Sequence, residues 1–516
     1  MGDGSERRRA IVLLAAGAAA VVLGAALGLV ATGPAASTRP RPSEGDETPV
    51  TPMDLSVQAE NDSPLLLADP VEPRFVVMAN RVDFPGFGCA LQVSGDGGRG
   101  WAPDPLPELP DGVESCYAPE VAFDRAGRLY YLFVGLAGPG HRPIGAWLVS
   151  SNDHGRTFSK PRQVLSGLKF GVRMAIDHTM GRQGRMYLTW IEARSEVGLG
   201  SFGEPPNPIM AAYSDDGGGH LSTPVQVSDR SRSLVVAPAL ALGPHHAVHV
   251  VYYDLGGDRR DYSGLAGPVW DRPWSLVLAS STDGGRHFAA GRVVDDGIVP
   301  TERVMLIFTM PPASVAVDGS RLCAAWTDGR SGDPDAVLRC SADGGRRFEA
   351  LHRLNDDSKR RQYLPRLAVA PGGRIDAVFL DRRNDPVNRD NDVYYTYSTD
   401  GGRHFAPNLR LTSLPSNSHI GAEYAGPAAA GQYEIGGRLG LLSVPDGAVA
   451  AWPDMRNAVG STRAQDLVAV RMDGMAGGGT RPDRPLGLAV TSGGAGAVVL
   501  GARRLRRAGP RAVPTA

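Results

Sequence analysis

Lysine is nearly missing from this chain. Only Lys160, Lys169 and Lys359 occur, so arginine supplies 51 of the 54 cationic side chains. A skew of that size makes any single arginine weak evidence of a site. A surplus of either charge is missing too: Lys plus Arg is 54 and Asp plus Glu is 55, a formal net charge of −1. A dedicated nucleic-acid binder carries a basic excess, so that class is excluded. Helical periodicity is nearly absent. No P-loop, G-x-S-x-G elbow or H-E-x-x-H run occurs, which removes the commonest phosphate, serine-hydrolase and zinc-protease readings. Gly95 to Gly100 fits G-x-G-x-x-G, but no β-α-β unit surrounds it, so no dinucleotide site follows.

Turn formers are abundant instead. Gly (66) and Pro (41) make up about a fifth of the 516 residues, against roughly 12% on average. Both break helix interiors, so a helical bundle is excluded. Hydrophobic residues are 42% and charged residues 21%, ordinary for a globular protein and contrary to wholesale disorder.

The ends differ from the middle. Arg7, Arg8 and Arg9 precede an uncharged run over 10–32, longer than the ~20 residues that span a bilayer core. It reads as a transmembrane signal anchor or, alternatively, a signal peptide, with residues 1–9 cytoplasmic and the rest outside. Residues 33–52 are rich in Pro, Ser, Thr and Glu and read as a disordered linker. Residues 479–516 form a tail. Its stretch 486–502 is uncharged and followed by Arg503, Arg504, Arg506 and Arg507, a candidate second membrane segment. The expected location is the cell membrane, crossed once or twice, with residues 53–478 extracytoplasmic, or secreted if the leader is cleaved.

That middle region repeats. Ser94-Gly-Asp96-Gly-Gly98-Arg-Gly-Trp101 recurs as Ser151-Asn-Asp153-His-Gly155-Arg-Thr157-Phe158, then at Asp283, Asp343 and Asp400, with a degenerate copy at Asp216. The aspartates step by 57, 63, 67, 60 and 57 residues. In S-x-D-x-G-x-x-aromatic the Asp caps backbone N–H groups of its own turn. The Gly accepts a positive φ, and the aromatic plugs between sheets. Around each octet lie short β-like runs, four per unit, as in Glu120–Asp124, Leu129–Gly135, Ile144–Ser150 and Arg162–Leu165. Four-stranded units repeated along a chain predict an all-β fold, a β-propeller. A seventh set (Arg438–Val444, Ala448–Trp452, Asp466–Arg471) lacks a fourth strand, which Leu55–Gln58 could supply. Seven blades closed by an N-terminal strand are therefore preferred over six.

The octets resemble Asp boxes, also called BNR repeats, and residues 55–475 resemble the sialidase-like propeller superfamily. Asp boxes also occur in non-hydrolytic propellers such as sortilin-type receptors and photosystem assembly factors. The Arg-Ile-Pro motif of sialidase N-terminal strands is missing; the nearest text is Glu72-Pro73-Arg74-Phe75.

In such a meander the boxes and the tight first turns share one face, and the long loops share the other, where function is expected. Acid and arginine recur at second-strand ends on that face: Arg81 with Asp83, Asp328 with Arg330, Asp381 with Arg382 and Arg383, and Asp454 with Arg456. They read either as ligands for an anionic or polyhydroxylated molecule or as salt bridges that pin loops. The resemblance implies an arginine cluster for a substrate carboxylate, a tyrosine nucleophile activated by a glutamate, and an aspartate acid/base. Tyr424, Tyr363, Glu423, Glu302 and Asp381 are the residues of those types at that face. The expected function is an exo-glycosidase of exo-α-sialidase type acting on terminal acidic sugars; the alternative is a non-catalytic propeller that binds glycan or protein at the cell surface. Oligomeric state is not readable.

Two metal readings are weak. His245, His246 and His249 fall on the structural face. Asp385, Asp390 and Asp392 crowd one loop in a way that could suit Ca²⁺, without EF-hand spacing and with arginines nearby. No cofactor is expected. Four cysteines permit three disulfide pairings in an exported domain. Cys323–Cys340 is preferred, because both lie at mirrored positions of one hairpin, and Cys89–Cys116 then follows; four free thiols is the alternative.

Overall fold

Alternating apolar residues in short runs, punctuated by Gly-rich turns, fold here as consecutive antiparallel hairpins. The computed structural model describes residues 47–51, 59–83, 86–181, 183–193, 206–256, 273–300, 312–417, 435–458 and 465–475, with the backbone of short strands at 41–42, 422–423 and 433–434. Seven sheets follow one another in chain order, each running from an innermost to an outer strand. Blade 1 holds Asn61–Ala68, Val76–Val82, Gly88–Ser94 and Ala102–Asp104. Blade 2 begins with Ser115–Phe123, blade 3 with Lys169–Asp177, blade 4 with Val235–Leu242, blade 5 with Ser314–Asp318 and blade 6 with Gln362–Val369. Blade 7 has Gly440–Val444, Gly447–Asp454 and Asp466–Asp473. Each innermost strand touches the next, and that of blade 1 touches that of blade 7, so the ring closes.

Closure uses a segment that composition assigns to the linker. Thr48–Pro49 pairs with Val468 and Ala469, and Arg41–Pro42 pairs with Met472 and Asp473. Leu55–Gln58 lies outside the described residues. The correction has a simple cause: an outer strand needs backbone partners rather than an apolar face. Val50, 3% exposed, joins the core between blades 7 and 1.

The apolar side chains form seven clusters, one between each pair of neighbouring blades. The Asp boxes explain how these are sealed. In blades 1 to 6 the third strand ends on the box serine, whose hydroxyl donates to its aspartate at 2.7–2.8 Å. The serine oxygen accepts the N–H of a box glycine at positive φ, for example Gly285 (φ 83) at 2.9 Å. The box aromatic then enters the interface with the preceding blade. Trp101 packs between blades 7 and 1, Phe158 between 1 and 2, Phe288 between 3 and 4, Phe348 between 4 and 5, and Phe405 between 5 and 6. Blade 7 has no box, and Met475 fills the corresponding interface.

Box turns and first turns share one face. Arg185 donates to Gly284 O, and Arg471 to Gly97 O, each from the neighbouring blade. Two disulfides are present, Cys89–Cys116 between blades 1 and 2 and Cys323–Cys340 across a strand pair of blade 5. Among the described residues no helix is long and apolar enough to cross a membrane. Residues 10–32 and 486–502 lie outside the described residues.

Candidate functional site in the central channel

The innermost strands share a defect that builds the site. Five of them lose register at one place: between Asp62 and Leu65, Tyr117 and Glu120, Phe170 and Arg173, Val236 and Ala239, and Tyr363 and Arg366. Ser63, Ala118, Ala237 and Leu364 sit there at positive φ, each followed by a proline. A non-glycine residue in that region costs about 1–2 kcal/mol, so the bulge is held by the surrounding ring rather than by local preference.

The residue after each bulge is Leu65, Glu120, Arg173, Ala239 or Arg366, and Arg438 follows Gly436 and Gly437 in blade 7. Four of these meet. Arg173 Nη1 donates to Glu120 Oε1 at 3.1 Å, and Arg438 Nη1 makes a short ion pair with the same oxygen. Arg438 also donates to Pro119 O (2.8 Å) and Ser63 O (3.1 Å), and Arg173 to Pro238 O (3.1 Å). Blades 1, 2, 3, 4 and 7 are thereby tied at the axis. Burial pushes the Glu120 carboxyl up, but Arg438 and Arg173 outweigh it and hold it below the usual range. Burial, with Arg438 and Arg173 beside it, brings Arg366 down to about 9, Glu120 opposing. Arg366 thus stays charged near neutrality.

Two cavities adjoin this cluster and share Pro312, Gly437 and Arg438. The larger is lined by Arg81, Tyr117, Lys169, Phe170 and Arg173. The other is lined by Tyr253, Trp274, Trp326, Thr327 and Arg366. The pair is one cationic lobe beside one aromatic lobe, and it can seat an anionic group against guanidinium forks.

Of the sequence candidates, Arg81 reaches this place. It donates to Tyr117 Oη at 2.9 Å and is held by Asp62 (3.0 Å) and Asp83 (2.7 Å). The other acid–arginine ends are engaged with one another. Arg330 lies between Asp328 and Asp295, Arg383 between Asp381 and Asp356, and Arg456 between Asp454 and Glu47. Arg232, between Asp229 and Asp254, repeats the pattern in blade 4. In the first two of these triads, one acid comes from the outer-strand side of the preceding blade, so the arginine staples two blades. Each of these arginines is partly buried, and its carboxylates outweigh that burial to raise its pKa. Arg382 donates to Asn391 and Tyr363. The Tyr363 hydroxyl donates to Asn391 at 2.6 Å, within the cluster between blades 6 and 7 and away from both cavities. Asp381 is pushed up by burial, against Arg383. The side chains of Glu423, Tyr424 and Glu302 lie outside the described residues.

His246 bonds Asp177, and buried His249 bonds Ser280. Asp385 accepts three backbone N–H groups of its own loop, Asp390 faces Arg389, and Asp392 takes Arg410 and Thr412. No three His, Cys, Asp or Glu side chains cluster as metal ligands among the described residues.

Glu120, Arg173, Arg366, Arg438, Tyr117 and Lys169 escaped the sequence reading. The usable signal was a proline within several innermost strands; Pro119 and Pro365 directly precede Glu120 and Arg366.

Comparison with known proteins gives three findings. Residues 301–412 match the model of a BNR repeat-containing family. No curated protein matches the chain. Among solved structures, a protein of unknown function from Dyadobacter fermentans aligns over 84% of this chain and 99% of its own, at 14% identity and a TM-score of 0.46. A Hadza microbial sialidase aligns over 78% and 74%, at 15% identity and 0.43. An ulvan lyase of a polysaccharide lyase family aligns over 81% and 95%, at 12% identity and 0.45. Likenesses of this size carry no argument about activity.

Proposed function

Because the protein is a sialidase-like BNR-repeat β-propeller, we propose that its central cavity receives the carboxylate of an acidic sugar, so that it works as a glycan-recognising propeller outside the cytoplasm. One observation carries this reading: Arg173, Arg366 and Arg438 converge at the axis around Glu120. Guanidiniums gathered in a half-enclosed place suit an anionic group. Phe170, partly exposed, offers flat apolar surface to a sugar ring beside it. Two disulfides suit an oxidising compartment, and attachment through 10–32 would hold the ring at the membrane surface.

The same arginines would serve exo-α-sialidase-type hydrolysis of a terminal acidic sugar. That activity also needs a nucleophile, and Tyr363 is tied to Asn391 and Arg382. Fluorophore release from a fluorogenic sialoside, abolished by Tyr424→Phe, would support hydrolysis.

Recognition itself is tested by titrating acidic and neutral oligosaccharides against the full chain. Acidic ones should bind in a salt-sensitive way. Arg173→Met or Arg366→Met should weaken them by about 10-fold or more, since a hydrogen bond to a charged group is worth about 1.5–3 kcal/mol. Equal binding of neutral sugars would remove the reading.

A further inference from the structure

Among the described residues, neither cavity is lined by an aspartate or a glutamate. Glu120 is gripped by Arg173 and Arg438 and held ionised. Among the described residues, the walls of these cavities hold no carboxylate pair for hydrolysis of a glycosidic bond. What does line the larger cavity is a phenol, an ammonium and guanidiniums: Tyr117, Lys169, Arg81, Arg173 and Arg438.

These groups have a division of labour. Asp62 and Asp83 fix Arg81, which turns one guanidinium nitrogen onto the Tyr117 oxygen at 2.9 Å and lies over its ring at 5.0 Å. A guanidinium donating to that oxygen stabilises negative charge developing on it, which suits it to a proton-transfer role. Lys169 is 8% exposed, and its Nζ lies 2.5 Å from Glu192 Oε1, whose other oxygen accepts from Trp190. In a chain with three lysines against 51 arginines, a buried lysine in the cavity wall is a group that can give up a proton where arginine cannot.

We infer that the cavity is equipped for β-elimination on a uronate-containing polysaccharide. This deepens the proposed recognition of acidic sugars and rests on it. Arg173 and Arg438 neutralise the uronate carboxylate, which acidifies the hydrogen on the adjacent ring carbon. Tyr117 phenolate takes that proton. The released electron pair forms a carbon–carbon double bond to the neighbouring ring carbon. The bond from that carbon to the glycosidic oxygen breaks, its electron pair goes to the oxygen, and Lys169 ammonium donates the proton that completes the new hydroxyl. Tyr117 ends protonated and Lys169 neutral, and exchange with water resets both. No oxidant, metal or attacking water enters the balance.

The test uses the full chain with polygalacturonate, alginate and chondroitin sulfate. Elimination leaves a conjugated double bond that absorbs in the ultraviolet; hydrolysis yields reducing ends without it. The expected result is ultraviolet-absorbing product from at least one polymer. Tyr117→Phe should lower kcat by about 100-fold or more with KM little changed, and Lys169→Met should lower kcat while polymer binding persists. Reducing ends without absorbance, polymer binding without cleavage, or an undiminished rate in both variants would each overturn the inference. Retained binding without cleavage leaves glycan recognition standing, whereas loss of acidic-polymer binding removes that as well.

Discussion

Glu120 is the residue on which the axis turns. It is 1% exposed and is the carboxylate shared by Arg173 and Arg438. Replacing it by glutamine leaves two buried guanidiniums facing each other, and breaking a buried pair from one side costs about 3–5 kcal/mol. Glu120→Gln should therefore lower the melting temperature clearly; an unchanged melt would mean the arginines have other partners. The box aspartates act from the rim in the same direction. Backbone and side-chain donors outweigh slight burial to bring Asp153 and Asp400 down to about 2. A depressed folded pKa contributes stability above the unfolded value, roughly 4, and loses it as pH falls through the folded one. Asp381 has the opposite sign, being raised by burial, and offsets part of the loss. Burial brings His249 down to about 4 and lowers His178, so both must charge on unfolding. Thermal melts should begin to fall below about pH 6.5 and go on falling to about pH 2, with Asp153→Ala plus Asp400→Ala making the fall below about pH 4 shallower.

At the scale of elements, the two disulfides should differ. Cys323 and Cys340 sit opposite each other on strands already paired, whereas Cys89–Cys116 joins blade 1 to the innermost strand of blade 2, next to Tyr117. Removing the inter-blade bridge should cost more, within the about 2–4 kcal/mol typical of such bonds, and should also weaken acidic-glycan binding. Equal losses for Cys89→Ala/Cys116→Ala and Cys323→Ala/Cys340→Ala in a urea titration would contradict this. The same contrast explains what could be read from the sequence. Box serine, aspartate, glycine and aromatic recur because every blade interface needs the same seal, and strand boundaries such as Ile375–Asp381 follow from them. The acid–arginine strand ends recur for a similar reason, since Asp328, Arg330 and Asp295 staple neighbouring blades as Asp381, Arg383 and Asp356 do. Repetition signalled structure there. The site is made of what does not repeat: one position after the bulge reads Leu65, Glu120, Arg173, Ala239 and Arg366. A lone arginine among 51 gives no cue of that kind.

The whole ring depends on a clasp that composition conceals. Asp466–Asp473 would be an open edge, with unpaired N–H and C=O groups inviting association. Thr48–Pro49 covers it, Val50 N–H bonds Leu467 O at 2.9 Å, and the Thr51 hydroxyl accepts Leu467 N–H at 2.9 Å. Glu47 adds a carboxylate to Arg456 at 2.6 Å and caps Ser413 of blade 6. On the far side, Asn61 and Gln465 exchange hydrogen bonds at 2.9–3.3 Å and bring the start of blade 1 against the start of the last strand. A fragment beginning at residue 53 keeps every Asp box and the whole axial cluster, yet loses the clasp. Burying Val50 alone is worth about 1.5–3 kcal/mol, and Arg456 would lose Glu47 while keeping Asp454 and the Ser413 hydroxyl. That fragment should unfold at least about 3 kcal/mol earlier in urea than one beginning at residue 41. It should also associate at its bared edge, read as a concentration-dependent sedimentation coefficient. Coincident urea midpoints for the two fragments would show that the ring closes without its N-terminal strand.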